Sequence, residues 1–351
     1  MKKNDVLSMS EKMRPGAIRR KPLSVSQSGL VTAEPQKGAD LPLVMRPSVA
    51  GVDVVTWALK HRELIQGRLL KHGGILFRNF DVSSPEVFEQ FAVACSAELL
   101  EYKERSSPRT RVNNNIYTST DYPASQSIFF HNENSYQRAW PMKIFFFCVT
   151  PSTQGGETPI VDCRKVFERI DREIRRRFIE KGWMLVRNFG NGLSLTWQSV
   201  FQTEDKIAVE DYCRQAGIET EWRGDRLRTR QARRAVAQHP TTGEMVWFNH
   251  AAFFHVSTLE TSAREVLLAG LKEEDLPNNT YYGDGSPIEL SVIEEIREAY
   301  RKEAVSFAWQ EGDILMLDNM LSAHGRNPYV GPRKILVAMS EPFGPPTAPI
   351  R

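Results

Sequence analysis

Six short apolar runs, each bounded by Pro, Gly, Asn or Asp, limit what this chain can fold into: residues 128–130, 143–149, 158–161, 244–249, 312–317 and 333–339. Runs of that length, rich in Phe, Ile and Val, read as strands. Several in succession imply a sheet closed on a second sheet rather than a helical bundle. Helical periodicity is found elsewhere. Val54, Trp57, Leu64, Ile65, Leu69 and Leu70 predict a helix over 54–70 that stops at Gly73-Gly74, and residues 74–80 then read as a strand. Ser84, Pro85 and Glu86 supply a capping hydroxyl, a proline for the first turn and an acid against the helix dipole, which predicts a helix from there to about 99. Further helices are expected over 164–181, 261–272 and 291–303, the last with Ser291 and Glu294 at capping-box spacing. The expected architecture is mostly β with helices: a jelly-roll core, helices before it, and a mixed helical insertion over about 164–300 between its halves. Residues 1–40, basic and rich in Ser, Pro, Gly and Gln, are expected to form a flexible arm, and 41–351 a single domain.

Composition excludes several functions. Among 351 residues, 46 are Lys or Arg and 43 are Asp or Glu, a net charge of +3, too mild to point to nucleic acid. No apolar run reaches the roughly 18 residues of a membrane span. The first 28 residues lack the apolar stretch of a secretory signal, so a cytoplasmic address is expected. Cys95, Cys148, Cys163 and Cys213 form no C-x-x-C pair and read as reduced structural thiols. Residues 172–187 are basic, but Val166, Phe167, Ile170, Ile174 and Phe178 fall at helical spacing before and within them. Those charges therefore read as the solvated face of an amphipathic helix. Residues 223–234, RGDRLRTRQARR, lack such spacing and read as a surface loop, one that an acidic partner could meet.

Chemistry concentrates in two places. His131-Asn132-Glu133 sets an imidazole and a carboxylate two residues apart, which on a strand puts both on one face; His324 can complete the set. Two imidazoles and one carboxylate on one face of a metal leave its other positions open, the arrangement of non-haem Fe(II) oxygenases. After the strand at 143–149, Gly155-Gly156-Glu157-Thr158-Pro159 offers two glycines able to take positive φ in a tight turn, with the Thr158 hydroxyl beside them. An ordinary hairpin uses the same turn residues. From His324 to Arg333 the chain is rich in Gly, Pro and Asn and reads as a reversal, with Arg333 opening a strand next to the one that ends near His324. A guanidinium there suits a carboxylate, which its fork grips bidentately. Two histidines, a carboxylate, a hydroxyl and an arginine together fit a metal that one end of a small dicarboxylate chelates, while Thr158 and Arg333 meet the other.

The segments Tyr117-Thr118-Ser119-Thr120-Asp121-Tyr122-Pro123, His131-Asn132-Glu133-Asn134-Ser135-Tyr136, Trp140-Pro141, Gly155-Gly156-Glu157-Thr158-Pro159, Trp247-Phe248-Asn249 and His324-Gly325-Arg326 occur in this order. As a set the chain resembles the taurine dioxygenase and clavaminate synthase-like Fe(II)/2-oxoglutarate oxygenases, especially the branch of the syringomycin-cluster aspartyl hydroxylase. The resemblance spans about 41–342. It implies a double-stranded β-helix oxygenase domain in which His131, Glu133 and His324 are the iron ligands and catalytic residues. Thr158 and Arg333 would hold 2-oxoglutarate, with O2 as the other cosubstrate. It implies hydroxylation of a C–H bond with release of succinate and CO2, and the carboxylate of Glu133 speaks against halogenation. The branch implies that the substrate is an amino acid, or an amino-acyl group on a nonribosomal-peptide carrier protein; residues 223–234 could meet such an acidic carrier. Arg111, Asn134, Tyr136 and Asn249 are the candidate substrate contacts. The chain departs from the branch at His250, where Gln is usual, and carries His255 beyond it. Residues five apart on a strand face opposite ways, so these two could not both reach a metal from one strand. Epoxidation or desaturation would need the same five site residues as hydroxylation. Two other readings stay open: a noncatalytic metal-binding jelly roll, and a zinc hydrolase, against which the lack of H-E-x-x-H speaks.

Overall fold

The computed structural model describes residues 27–344 except 37, 97, 102–109, 121 and 191. Most of the expected arm, 1–26, and Asp121 of the first quoted segment lie outside the described residues. The arm is nevertheless shorter than expected. After a 3-10 turn at Gln27–Leu30, β1 (Val31–Pro35) pairs antiparallel with β2 (Leu43–Pro47), so these residues belong to a sheet. The helix expected over 54–70 is two, α1 (Val54–Lys60) and α2 (Arg62–His72). The break is at His61, whose ring stacks on Trp57 and bonds to the Trp57 carbonyl, with φ −122 and ψ 26. α2 ends on a left-handed Gly73, and β3 (Gly74–Phe77) follows, shorter than 74–80. α3 (Pro85–Cys95) begins as expected, with Ser84 Oγ accepting the Val87 N–H, and stops short of 99.

The first half of the core then runs through β4 (Arg111–Asn113), β5 (Ile116–Thr118), β6 (Ile128–His131), β7 (Trp140–Thr150), β8 (Gln154–Gly155) and β9 (Ile160–Asp162). The insertion opens with α4 (Cys163–Arg169) and α5 (Arg172–Lys181), two helices where one was expected, because Ile170 is extended and Asp171 caps the second through the Glu173 N–H. It continues through β10 (Trp183–Phe189), α6 (Trp197–Phe201), α7 (Lys206–Ala216), β11 (Glu219–Arg223), β12 (Arg226–Arg233), β13 (Val236–Gln238) and β14 (Met245–Trp247). α8 (Ala251–Phe254), α9 (Thr261–Gly270), β15 (Asn278–Tyr282) and α10 (Leu290–Glu303) complete it. Contrary to the capping-box expectation, α10 is capped at Glu289, with no side-chain bond, and Ser291 lies inside its first turn. The insertion is also less helical than expected, for β11-β12-β10-β15 form a four-stranded sheet of its own. The basic residues 223–234 are not a loop but most of the β11–β12 hairpin in that sheet.

β16 (Ile314–Asp318), β17 (Ser322–Arg326), β18 (Tyr329–Val330) and β19 (Lys334–Phe343) close the core. The larger sheet has the order β1-β2-β3-β16-β7-β19-β5-β4, and the smaller layer consists of β6-β17-β9 with β18-β8. This is a double-stranded β-helix, mostly β with helices, as the strand pattern predicts. β7 shows why its apolar run is unbroken. Ile144, Phe146 and Cys148 turn into the barrel with Leu315, Leu317, Ile335 and Val337, while Phe145 and Phe147 turn outward onto Phe91 and Phe88 of α3. A strand covered on both faces has no polar side to alternate with.

Candidate functional site

β17 is the middle strand of the smaller layer, and its pairing with β6 sets His324 directly opposite His131. Directly opposed residues share a face of the sheet, and here the two imidazole centroids are 4.4 Å apart. Glu133 arrives differently from the i, i+2 strand geometry expected of it. β6 ends at His131, and Glu133 sits in the turn that follows, where Asn134 takes a φ of 58. Asn is among the few side chains that tolerate that conformation. The turn still delivers the carboxylate: ligand atoms of His131, Glu133 and His324 all lie within 4.8 Å of one another, with Glu133 and His324 buried. His131 Nδ1 is 2.9 Å from the Phe129 carbonyl, which can only accept. Nδ1 therefore carries the ring proton and Nε2 keeps the lone pair that a metal needs.

Sequence reasoning missed the side chains that hold this turn. Asn319, fully buried between β16 and β17, accepts the Glu133 N–H at 2.7 Å and donates to the Glu133 carbonyl at 2.8 Å and the Pro141 carbonyl at 2.9 Å. Asn132 donates back to the Asn319 carbonyl at 2.7 Å. Beside them Asp318 accepts the Met320 and Leu321 N–H groups and meets His239 Nε2 at 3.1 Å. The signal was present as an Asp-Asn pair straight after an apolar strand, since both side chains imitate backbone groups in turns.

A cavity beside the triad is lined by His131, His324, Thr158, Arg326, Arg333 and Phe146, among others. The structure thus brings the five principal site residues together, with Glu133 completing the metal side. Arg333 reaches the cavity from an unexpected direction. The strand it precedes, β19, is not beside β17 but in the opposite sheet, paired with β7 and β5, so its side chain crosses the barrel. Its Nε donates to the Gly156 carbonyl at 2.8 Å, and Nη2 is 3.5 Å from Thr158 Oγ1. No described carboxylate pairs with this guanidinium; burial, with the nearby charge of Arg326, pushes its pKa down to about 10. Gly155 and Gly156 take φ of 65 and 71, as their place in the sequence predicts. A Cβ on Gly155 would stand 2.2 Å from the Pro328 carbonyl oxygen, and one on Gly156 would stand 3.0 Å from Arg333 Cδ.

The remaining candidates fall out unequally. Arg326 spans the loop after β5, donating to the carbonyls of Tyr122, Pro123 and Gln126. Arg111 is exposed on β4, bonds to the Asn114 carbonyl and does not line the cavity. Asn249 is occupied by the backbone, donating to the Ala235 carbonyl and accepting the Ala251 N–H. Asn134 serves the turn, and Tyr136 is buried edge-on against His250. His250 precedes a helix rather than lying on the expected strand; its ring is 5.8 Å from that of His131, and Nδ1 is 2.6 Å from Ser135 Oγ. Burial, then the charge of His131, holds its pKa well below the usual value. His255 lies past α8, where Nδ1 accepts the Ser257 N–H. Four of the six arginines of 223–234 are engaged within the chain: Arg228 with Asp275 at 2.7 Å, Arg223 and Arg230 with Glu221, and Arg233 with the carbonyls of Tyr136, Ala216 and Gly217, while Arg226 and Arg234 are exposed. Burial pushes the Cys95, Cys148 and Cys163 thiols up to about 12, in keeping with inert structural cysteines. Among the described residues no helix is long and apolar enough to cross a membrane.

Comparison with known proteins agrees with this geometry. Residues 37–339 match the family described as taurine catabolism dioxygenase TauD, TfdA family. The chain is 42% identical over 278 residues to the dapdiamide synthesis protein DdaC of Enterobacter agglomerans, covering 79% of this chain and 84% of that one. It is 28% identical to a clavaminate synthase-like protein of Arabidopsis thaliana, covering 85% and 93%. Its fold is that of PvcB from Pseudomonas aeruginosa, with a TM-score of 0.53 at 12% identity over 88% of this chain and 90% of that one. A 2-His-1-carboxylate group beside a buried cationic cavity, on this fold and with these matches, makes the chain a member of the TauD/TfdA family and an Fe(II)- and 2-oxoglutarate-dependent dioxygenase.

Proposed function

We propose that His131, Glu133 and His324 hold Fe(II), that Thr158 and Arg333 hold the far carboxylate of 2-oxoglutarate, and that the enzyme hydroxylates a C–H bond of an amino acid or amino-acyl group in a biosynthetic pathway. One observation supports the site assignment above others. The cavity that both histidines line also holds a partly buried guanidinium with no described carboxylate partner, beside the Thr158 hydroxyl. A partly desolvated cation without a counter-charge is costly, and an incoming carboxylate relieves that cost. The name of the 42% relative, a dapdiamide synthesis protein, favours biosynthesis over catabolism. The proposal includes a carrier-bound amino-acyl group, although residues 223–234 lend it little support, because four of their six arginines are engaged within the fold.

Once bound, iron with 2-oxoglutarate and O2 supplies the oxidation of the substrate C–H bond, and 2-oxoglutarate leaves as succinate and CO2. The protein's part is arrangement. Arg333 and Thr158 fix one end of the dicarboxylate, the triad turns its three donors to one face, and Phe146, Ile335 and Val337 form an apolar wall that excludes water. The test is anaerobic addition of Fe(II) and 2-oxoglutarate, which should give a visible charge-transfer band. Folded, iron-loaded protein without a band would overturn the assignment. Amino acids, free and as carrier thioesters, are then supplied with O2. Succinate with a product heavier by one oxygen atom is expected, whereas loss of two hydrogens would replace hydroxylation with desaturation.

A further inference from the structure

Thr158 is buried and lines the cavity, and two donors converge on its hydroxyl oxygen. One is Arg333 Nη2 at 3.5 Å. The other is the indole Nε1 of Trp309 at 3.1 Å, from the segment between α10 and β16. Trp309 is itself buried, its ring edge-on to Phe307 at 5.2 Å between centroids. An indole N–H and a guanidinium can only donate, whereas a hydroxyl has two acceptor lone pairs and one hydrogen. With both lone pairs facing donors, the Thr158 hydrogen is left to point elsewhere, and among the described residues nothing accepts it.

We propose that Trp309 is a positioning residue for the cosubstrate: its N–H fixes the polarity of the Thr158 hydroxyl, so that Thr158 presents a donor to the 2-oxoglutarate carboxylate held by Arg333. The inference rests on the reading of the cavity as the 2-oxoglutarate site. Trp309 need not touch the cosubstrate. It acts through an oxygen that would otherwise be free to turn its hydrogen away and offer the carboxylate a lone pair. One guanidinium and one oriented hydroxyl then meet one anion.

Calorimetric titration of 2-oxoglutarate into protein loaded with Mn(II) in place of Fe(II) reads this without turnover. Trp309→Phe keeps an aromatic ring and removes the N–H; the Kd for 2-oxoglutarate should rise about fivefold to tenfold, the scale of one neutral hydrogen bond. Thr158→Ala should weaken binding at least as much, and the double variant should bind no worse than Thr158→Ala alone. The Kd for Mn(II) itself should not move in any of the three. Should Trp309→Phe fold poorly, benzothienylalanine placed at 309 replaces the N–H with sulfur at nearly constant shape and should give the same loss. Unchanged binding in either of these variants, or losses that add in the double variant, would overturn the role of Trp309. If instead Thr158→Ala and Arg333→Gln both bind 2-oxoglutarate as the parent does, the cavity assignment fails and takes this inference with it.

Discussion

Arg333 has its backbone just ahead of β19 in the larger sheet and its guanidinium in the cavity, where burial works against its charge. A lysine there would keep the charge but lose the planar fork and the Nε bond to Gly156. Arg333→Lys should therefore raise the KM for 2-oxoglutarate roughly tenfold or more, while the affinity for metal is unchanged; steady-state kinetics with a metal titration separates the two. His255 makes a prediction of another kind. Burial pushes its pKa from 6.5 down to about 4, and its Nδ1 accepts the Ser257 N–H, which only the neutral ring can do. The unfolded chain binds this proton as the pH falls below 6.5 while the folded chain refuses it until about 4. The stability it contributes is complete above that range and is lost as the pH falls through it. Urea midpoints of His255→Asn, which keeps an acceptor near Nδ1, should decline less between pH 7 and 4.5 than those of the parent. At this scale the sequence showed the donors but not what steadies them. His131, Glu133, His324, Thr158 and Arg333 are chemically conspicuous types, whereas Asn319 and Trp309 act through hydrogen bonds to groups more than 140 residues away in the sequence.

The turn between β16 and β17 is the element on which the triad depends, because Asn319 holds both backbone groups of Glu133 while β17 carries His324. Asn319→Ala would leave one buried N–H and two buried carbonyls without that partner. The cost should be about 3 kcal/mol in urea unfolding, with metal affinity falling alongside. Across the cavity, Gly155→Ala would drive a Cβ into the Pro328 carbonyl and strain a φ of 65. That change should loosen the β8–β18 pairing and raise the KM for 2-oxoglutarate more than it affects metal binding. Strand centres were legible because β7, β16 and β19 are covered on both faces and so are continuously apolar. Breaks were not. His61 and Ile170 interrupt helices through local bonds and extended backbone without disturbing the apolar spacing. The β11–β12 hairpin escaped notice because arginines occupy positions where alternating apolar residues would have announced it. Buried Arg228 takes one such place by pairing with Asp275.

For the molecule as a whole, the double-stranded β-helix could be read from the order of its strands, and the small sheet of the insertion could not, since it pairs strands as distant in sequence as β10 and β15 and buries polar residues such as Arg228. The opposition of His131 and His324 across β6 and β17 also joins points separated by more than half the chain. Contacts so distant in sequence form late, because their loop must close first. In refolding, metal uptake should accordingly trail the recovery of helical circular dichroism and coincide with the last cooperative phase; uptake that keeps pace with the helix signal would contradict this. A growing chain on the ribosome meets the same order of events. Until β17 has emerged, the proposed triad lacks His324, and two weakly held ligands give no site for oxygen chemistry. On the proposed ligand set, the order in which the chain is synthesised would keep an oxidant from being generated on an unfinished polypeptide.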